Sequence, residues 1–125
     1  MLFDWLEYLK LARWLSVHTP ADVSQEAAQR DAISRAYYAA FGHARKYAED
    51  WLGFVPREAA EDHGRLGAHL KSRRRRGTAD RLARLRDWRN DCDYSGEFPG
   101  DLATVVGLAL VDADYVFASL PAVKK

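Results

Sequence analysis

The stretch Arg86-Asp87-Trp88-Arg89-Asn90-Asp91-Cys92-Asp93-Tyr94 holds the most chemically versatile mixture of side chains in the chain. Arg86 and Arg89 stand three apart, so a helix carries them on one face. A guanidinium stays charged at any ordinary pH and presents a planar fork of donors, which suits a phosphate or the charge that builds on a phosphodiester under attack. Two readings are open. The arginines fasten the segment to Asp91, Asp93 or nearby carbonyls, or Arg89 and Tyr94 project into a cleft and hold a phosphodiester. Asn90, Asp91 and Asp93 bring polar and acidic groups to a helix end where cations are usually preferred.

Positive charge is crowded around this stretch. Between Arg65 and Arg89 lie ten basic and two acidic residues, although the whole chain has a net charge of only +1. Such segregation makes a surface able to attract phosphates and release counterions. Arg73, Arg74, Arg75 and Arg76 are its densest part, and with Arg86 they are candidate RNA or phosphate contacts. The same four arginines also suit a solvated helix end, where they complement the helix dipole. The acidic remainder of the chain could meet this surface from a partner or a second subunit.

Four histidines, His18, His43, His63 and His69, are scattered. No pair has the spacing and carboxylate company of a zinc site, and no metal or other cofactor is expected. His63, directly before Gly64, stands out. No glycine-rich phosphate loop, nucleophile elbow or Ser/His/Asp order is present. Tyr37, Tyr38 and Phe41 could stack on bases, but the helical spacing of Tyr37 and Phe41 places them in a core.

Helices must position these groups. Apolar spacing predicts a first helix from about Leu2 to His18, broad enough in its apolar surface to be central or to face a second chain. Thr19-Pro20 reads as a cap with proline at the first helical position of a long second helix. That helix has a stripe of Ile33, Tyr37, Ala40, Phe41, Ala44, Tyr47, Ala48 and Trp51, and it stops near Gly53. A third helix is expected over Arg57 to about Lys71, weakened by Gly64 and Gly67. A fourth is capped by Thr78 and turns Leu82, Leu85, Trp88 and Cys92 inward. A loop follows from Tyr94 to Gly100, then a fifth helix capped by Asp101. No segment alternates with period two, so no strand is expected.

A chain of 125 residues, 48% hydrophobic and 30% charged, is one globular domain with a real core. Cys92 is the sole cysteine, which excludes an intrachain disulfide and a thiolate zinc cluster. The amino terminus lacks the features of a signal peptide, and the apolar stretch Leu102 to Val111 is too short to span a bilayer. A soluble, cytoplasmic protein with no membrane partner is the expectation.

Three segments resemble one known family. Ala32-Ile33-Ser34-Arg35-Ala36-Tyr37-Tyr38-Ala39-Ala40-Phe41, with Ala44-Arg45, looks like the SRAYYAAF helix of HEPN proteins. His63-Gly64 is similar to a short element downstream in that branch. Leu85 to Tyr94 resembles its LRxxRxxADY segment, with Cys92 where alanine is common. The resemblance implies an all-α bundle of four or five helices, usually a homodimer. It implies RNA association in toxin–antitoxin or defence systems, often beside a minimal nucleotidyltransferase. Active relatives are metal-independent endoribonucleases that use an arginine, a polar residue and a later histidine. Arg89-Asn90 matches the start of that motif. Tyr94 stands five residues after Arg89, and no histidine follows.

On this resemblance Arg89 would stabilise the phosphorane, Asn90 would orient it and Tyr94 would position the scissile group. Tyrosine titrates near pH 10 and is a poor base at neutrality, so His43 or His63 is the candidate source of an imidazole. Tyr94 is also a candidate for nucleotidylation by the partner. The alternatives are a non-catalytic module that binds a nucleotidyltransferase or nucleotide, and a structural dimerisation domain.

Overall fold

A computed structural model describes residues 2–121, and these form five helices: α1 (Leu6–Val17), α2 (Gln25–Trp51), α3 (Asp62–Ser72), α4 (Arg76–Tyr94) and α5 (Leu102–Ser119). Among the described residues there is no strand. The bundle is organised around α2, the longest helix, which packs against all four others. Small side chains on its inner faces make this possible. Ala28, Ala32, Ala36, Ala40, Ala44 and Ala48 are all nearly inaccessible, so neighbouring helices approach closely. The expected stripe is the centre of this surface, with Ile33 and Tyr37 fully enclosed, while Trp51 at its end is exposed.

The starts of four helices, α1 to α4, differ from the sequence expectation. Residues 2–5 are not part of α1; the Asp4 carboxylate instead accepts from the Leu6 N–H at 3.0 Å, and Trp5 lies against Gly42 of α2. Thr19-Pro20 does not begin α2. Ser24 is its cap, with Oγ accepting from the Ala27 N–H at 3.0 Å, because a serine with extended backbone supplies the acceptor that the first turn needs. Thr78 does not cap α4. It lies inside the first turn, buried, and its hydroxyl bonds to Ser119 Oγ at 2.7 Å, tying α4 to the end of α5. Gly53 does end α2, at a φ of 71° that favours glycine.

α5 extends beyond the apolar stretch read from sequence. At 18 residues it is long and apolar enough, by length and composition, to cross a membrane. It packs on α2 and α4 and encloses Asp112, whose carboxylate takes a two-point contact from Arg84 at 2.6 and 2.7 Å. Its other side exposes Leu108, Val111 and Tyr115, as α1 exposes Leu11 and Trp14.

The end of α4 is held by Arg30 of α2. Its guanidinium donates to the carbonyls of Cys92 at 3.0 Å, Ser95 at 2.7 Å and Gly96 at 3.2 Å. These are the carbonyls that a helix terminus leaves without partners. Arg30 thereby fixes the helix that carries Arg86 and Arg89.

Candidate functional site

Tyr37, at the middle of α2, is the centre of a cluster drawn from three helices. Its ring is 1% exposed. Phe41 and His63 stack near it, with the His63 and Phe41 centroids 4.3 Å apart and their planes 17° from parallel. The Tyr37 hydroxyl is hydrogen-bonded to Nδ1 of His63. From α4, the Arg89 guanidinium lies 5.3 Å from the Tyr37 ring centre and 5.4 Å from that of Tyr38, within cation–π range.

His63 is fixed by its neighbour in the chain. Asp62, the first residue of α3, is 2% exposed. It accepts from the backbone N–H of Arg57 at 3.0 and 3.1 Å, from that of Glu58 at 2.9 Å and from Arg65 Nη1 at 2.7 Å. Burial pushes its carboxyl upward, but these donors outweigh burial and hold it below the usual carboxylate range. Residues 57 and 58 wrap around this carboxylate, with Glu58 at a φ of 56°, so α3 begins at Asp62 and not at Arg57. The wrapped loop then delivers the imidazole toward α2.

One of the two arginines, Arg86, lacks a carboxylate, and the other, Arg89, has only a long ion pair. Arg86 makes no ion pair among the described residues, and its Nε is buried without a hydrogen-bond partner. Arg89 is 7% exposed, and its Nε is likewise buried and unpartnered. The nearest carboxylate to Arg89, Asp93, stands 3.9 Å away, beyond hydrogen-bond range, and accepts from Ser34 Oγ at 2.6 Å. Arg86 thus holds a half-buried charge with no counter-charge, a cost that an arriving anion relieves.

These charges set the protonation of their neighbours. Burial, then the fields of Arg86 and Arg89, push His63 below its ordinary value of 6.5, so its imidazole is neutral at pH 7. Burial drives the Tyr37 phenol well above its ordinary value despite the same two arginines, so it keeps its proton. His43 is also lowered, by burial against a smaller opposing effect of the Leu120 carbonyl. A stability test follows from the two histidines. A base whose folded pKa is depressed leaves the unfolded chain binding more protons below about pH 6.5. Its contribution is complete above that value and is lost as pH falls through the folded pKa. Urea unfolding midpoints are therefore expected to drop between pH 7 and pH 5, and His63→Gln is expected to flatten part of that slope. An unchanged slope in both proteins would contradict the assignment.

A cavity of about 320 Å³ opens beside the cluster. Tyr37, Phe41, His63 and Arg86 line one end. Gly64, Gly67 and Ala68 of α3 face Ala79, Leu82 and Ala83 of α4 along its length. Lys71 and Asp87 also border it.

The structure assembles some of the expected residues and separates others. His63 and Arg86 line one cavity, and Arg89 lies behind them on Tyr37. Tyr94 does not join Arg89: it is 78% exposed, since five residues along a helix turn it well away from the buried arginine. Asn90 is half-buried and makes no hydrogen bond to Arg89 among the described residues. The expected Arg89–Asn90–Tyr94 constellation in one open groove is thus replaced by Arg86–Arg89–His63–Tyr37.

The four consecutive arginines are not one surface with Arg86. Arg75 turns inward over the Tyr47 ring and toward the Ser119 carbonyl at 3.4 Å, and it precedes the first turn of α4. Arg73, Arg74 and Arg76 are exposed at the α3–α4 turn, where Arg74 has a φ of 62°. That turn is the far end of the hairpin from Arg86. His43 supplies no imidazole to the cluster; its Nε2–H donates to the Leu120 carbonyl at 2.5 Å and its ring stacks on Phe117.

Tyr37 and Lys71 are the members that residue types did not reveal. The spacing of Tyr37 marks it as core, which it is, and its hydroxyl nonetheless reaches the imidazole. Among the described residues no three His, Cys, Asp or Glu side chains are grouped as a metal ion would need. Searches of protein-family models, curated proteins and solved structures return no match to this chain.

Proposed function

We propose that this chain is an RNA-associated helical bundle of the HEPN kind and a metal-independent endoribonuclease of a toxin–antitoxin or defence system. The carrying observation is that Arg86, which has no ion pair, shares a cavity with the neutral imidazole of His63, while Arg89 adds its charge from behind Tyr37. The three sequence resemblances support the same reading.

The chemistry uses what the site holds. Arg86 faces the cavity and takes the phosphodiester, while the charge of Arg89 behind Tyr37 adds to the positive field. With the Tyr37 oxygen accepting from Nδ1–H, Nε2 of His63 keeps a lone pair and takes the proton of a ribose 2′-hydroxyl. The 2′-oxygen attacks phosphorus, the bond to the 5′-oxygen breaks, and that oxygen receives the proton His63 has taken, so the products are a 2′,3′-cyclic phosphate and a 5′-hydroxyl. Tyr37 stays protonated and fixes the ring; it is not the base. The test is incubation of purified protein with single-stranded RNA in a chelating buffer. Cyclic-phosphate ends that vanish in Arg86→Ala are expected, and intact RNA would overturn the enzymatic reading.

A second reading rests on Tyr94. Its ring is 78% exposed at the end of α4, open to a nucleotidyltransferase partner. In that case the module binds its partner without cutting RNA, and Tyr94 is the acceptor of a nucleotidyl group. Mass spectrometry of protein co-expressed with its genomic neighbour decides it, since an unmodified Tyr94 ends the idea.

A further inference from the structure

We infer that the groove between α3 and α4 seats one unstacked base of a single-stranded RNA whose adjoining phosphate lies at Arg86; this deepens the ribonuclease reading and rests on it.

The groove has the form of a slot for a planar ring. Small residues dominate its walls, with Gly64 and Gly67 on α3 opposite Ala79 and Ala83 on α4, and Leu82 is the one large apolar side chain between the helices. The space is open: a Cβ placed on Gly64 or Gly67 meets no atom within 4 Å. The packed rings of Tyr37, Phe41 and His63 close one end as an apolar stop against which a base edge would rest. Its length also fits. Gly64 and Lys71 stand seven steps apart on the helix, roughly 10 Å at 1.5 Å per residue. Arg86 thus marks the phosphate end and Lys71 the other.

The polar groups complete the assignment. Neither Lys71 nor Arg86 has an ion-pair partner among the described residues, so both are free to serve a ligand. The Lys71 ammonium is a donor for the carbonyl oxygen of a base, and Arg86 is the donor for its phosphate. At about 320 Å³ the cavity lies near the lower limit for ligand sites and holds a single nucleotide. A duplex does not fit, because its bases are stacked and paired; a loop or free strand presents a base that can turn inward.

The test uses the whole chain and a 2′-fluoro RNA strand, which lacks the attacking hydroxyl and stays intact. Gly67→Leu fills the slot at a position where a side chain meets no neighbour, and circular dichroism checks that the helices persist. Fluorescence anisotropy is expected to show about tenfold weaker binding of the strand, with an abasic version bound equally by both proteins. Inorganic pyrophosphate, followed by calorimetry, is expected to bind Gly67→Leu and the parent alike and Arg86→Ala weakly. Equal binding of the intact strand by Gly67→Leu overturns the base slot, as does an equal loss for the abasic strand. Free guanosine monophosphate binding more tightly than the strand would make a mononucleotide the occupant and overturn the RNA assignment. Pyrophosphate binding that survives Arg86→Ala removes the phosphate reading itself, whatever Gly67→Leu does.

Discussion

His63→Ala is expected to lower RNA cleavage by about 10²–10⁴-fold, the usual contribution of a positioned proton acceptor. RNA affinity is expected to fall much less, because on the proposed chemistry Arg86, with the field of Arg89, holds the phosphate. Tyr37→Phe separates position from chemistry. It keeps the buried ring and the stacking on His63 but removes the hydroxyl at Nδ1, so it loses less activity than His63→Ala while the fold persists. The pH profile adds a second check. Because burial and two cations hold His63 below 6.5, the acid limb of the rate is expected below the range of an ordinary histidine. Neutralising Arg86 removes part of the depression, so Arg86→Gln moves that limb upward in whatever activity remains. A single-turnover assay on chelated enzyme reads both effects. Parental activity in His63→Ala would eliminate the imidazole as the base.

The second large effect concerns architecture. Gly42 lies in the middle of α2, where glycine is about 1 kcal/mol worse than alanine. Propensity alone would make Gly42→Ala stabilising. The Trp5 ring, however, occupies the space of the missing Cβ, which would overlap its indole. Losing a large buried aromatic costs about 3–5 kcal/mol, and Trp5 is only partly buried. Displacement therefore outweighs propensity, and a net loss of roughly 2 kcal/mol is expected. A double-mutant cycle makes the cause visible. In a Trp5→Ala background the obstacle is gone, and Gly42→Ala is expected to change sign and stabilise. Urea denaturation of the four proteins measures this; a loss of the same size in both backgrounds would exclude the Trp5 contact as its cause.

The helical architecture was legible because three of the five helices announce it through periodicity. Ile33, Tyr37, Ala40, Ala44 and Ala48 of the α2 stripe, Leu82, Leu85 and Cys92 of α4, and Val106, Ala109, Ala113 and Val116 of α5 are buried as their spacing requires, while Trp51 ends the α2 stripe exposed. Helix beginnings were harder. Leu2 and Phe3 follow the apolar pattern of α1 yet lie outside the helix, because Trp5 is drawn onto Gly42 and Asp4 caps the turn instead. The start of α3 depends on Asp62 gathering N–H groups from residues before it, which no local pattern signals. Thr78 looks like a cap in sequence but spends its hydroxyl on Ser119, 41 positions away.

The site was legible in its parts and not in its assembly. His63 and Arg86 each drew notice from sequence, but 23 positions separate them. Only the reversal of α3 into α4 brings both to one cavity. Arg89 next to Asn90 suggested a motif read along the chain, whereas the helix sends Arg89 inward and Tyr94 outward. Tyr37 was hidden for a different reason: a tyrosine at core spacing looks the same whether or not its hydroxyl meets an imidazole.

Asp62 touches no substrate in any scheme above, yet it gives the protein an Achilles heel. The peptide joining it to His63 makes the imidazole's aim a by-product of how well one acid anchors the preceding loop. Damage at Asp62 or Arg65, or a proline at position 57 or 58, would thus masquerade as lost chemistry, with the reactive residues all intact. Genetic screens for inactive variants should accumulate changes in this loop, and selection for tolerance should repair the anchor before it alters the arginines.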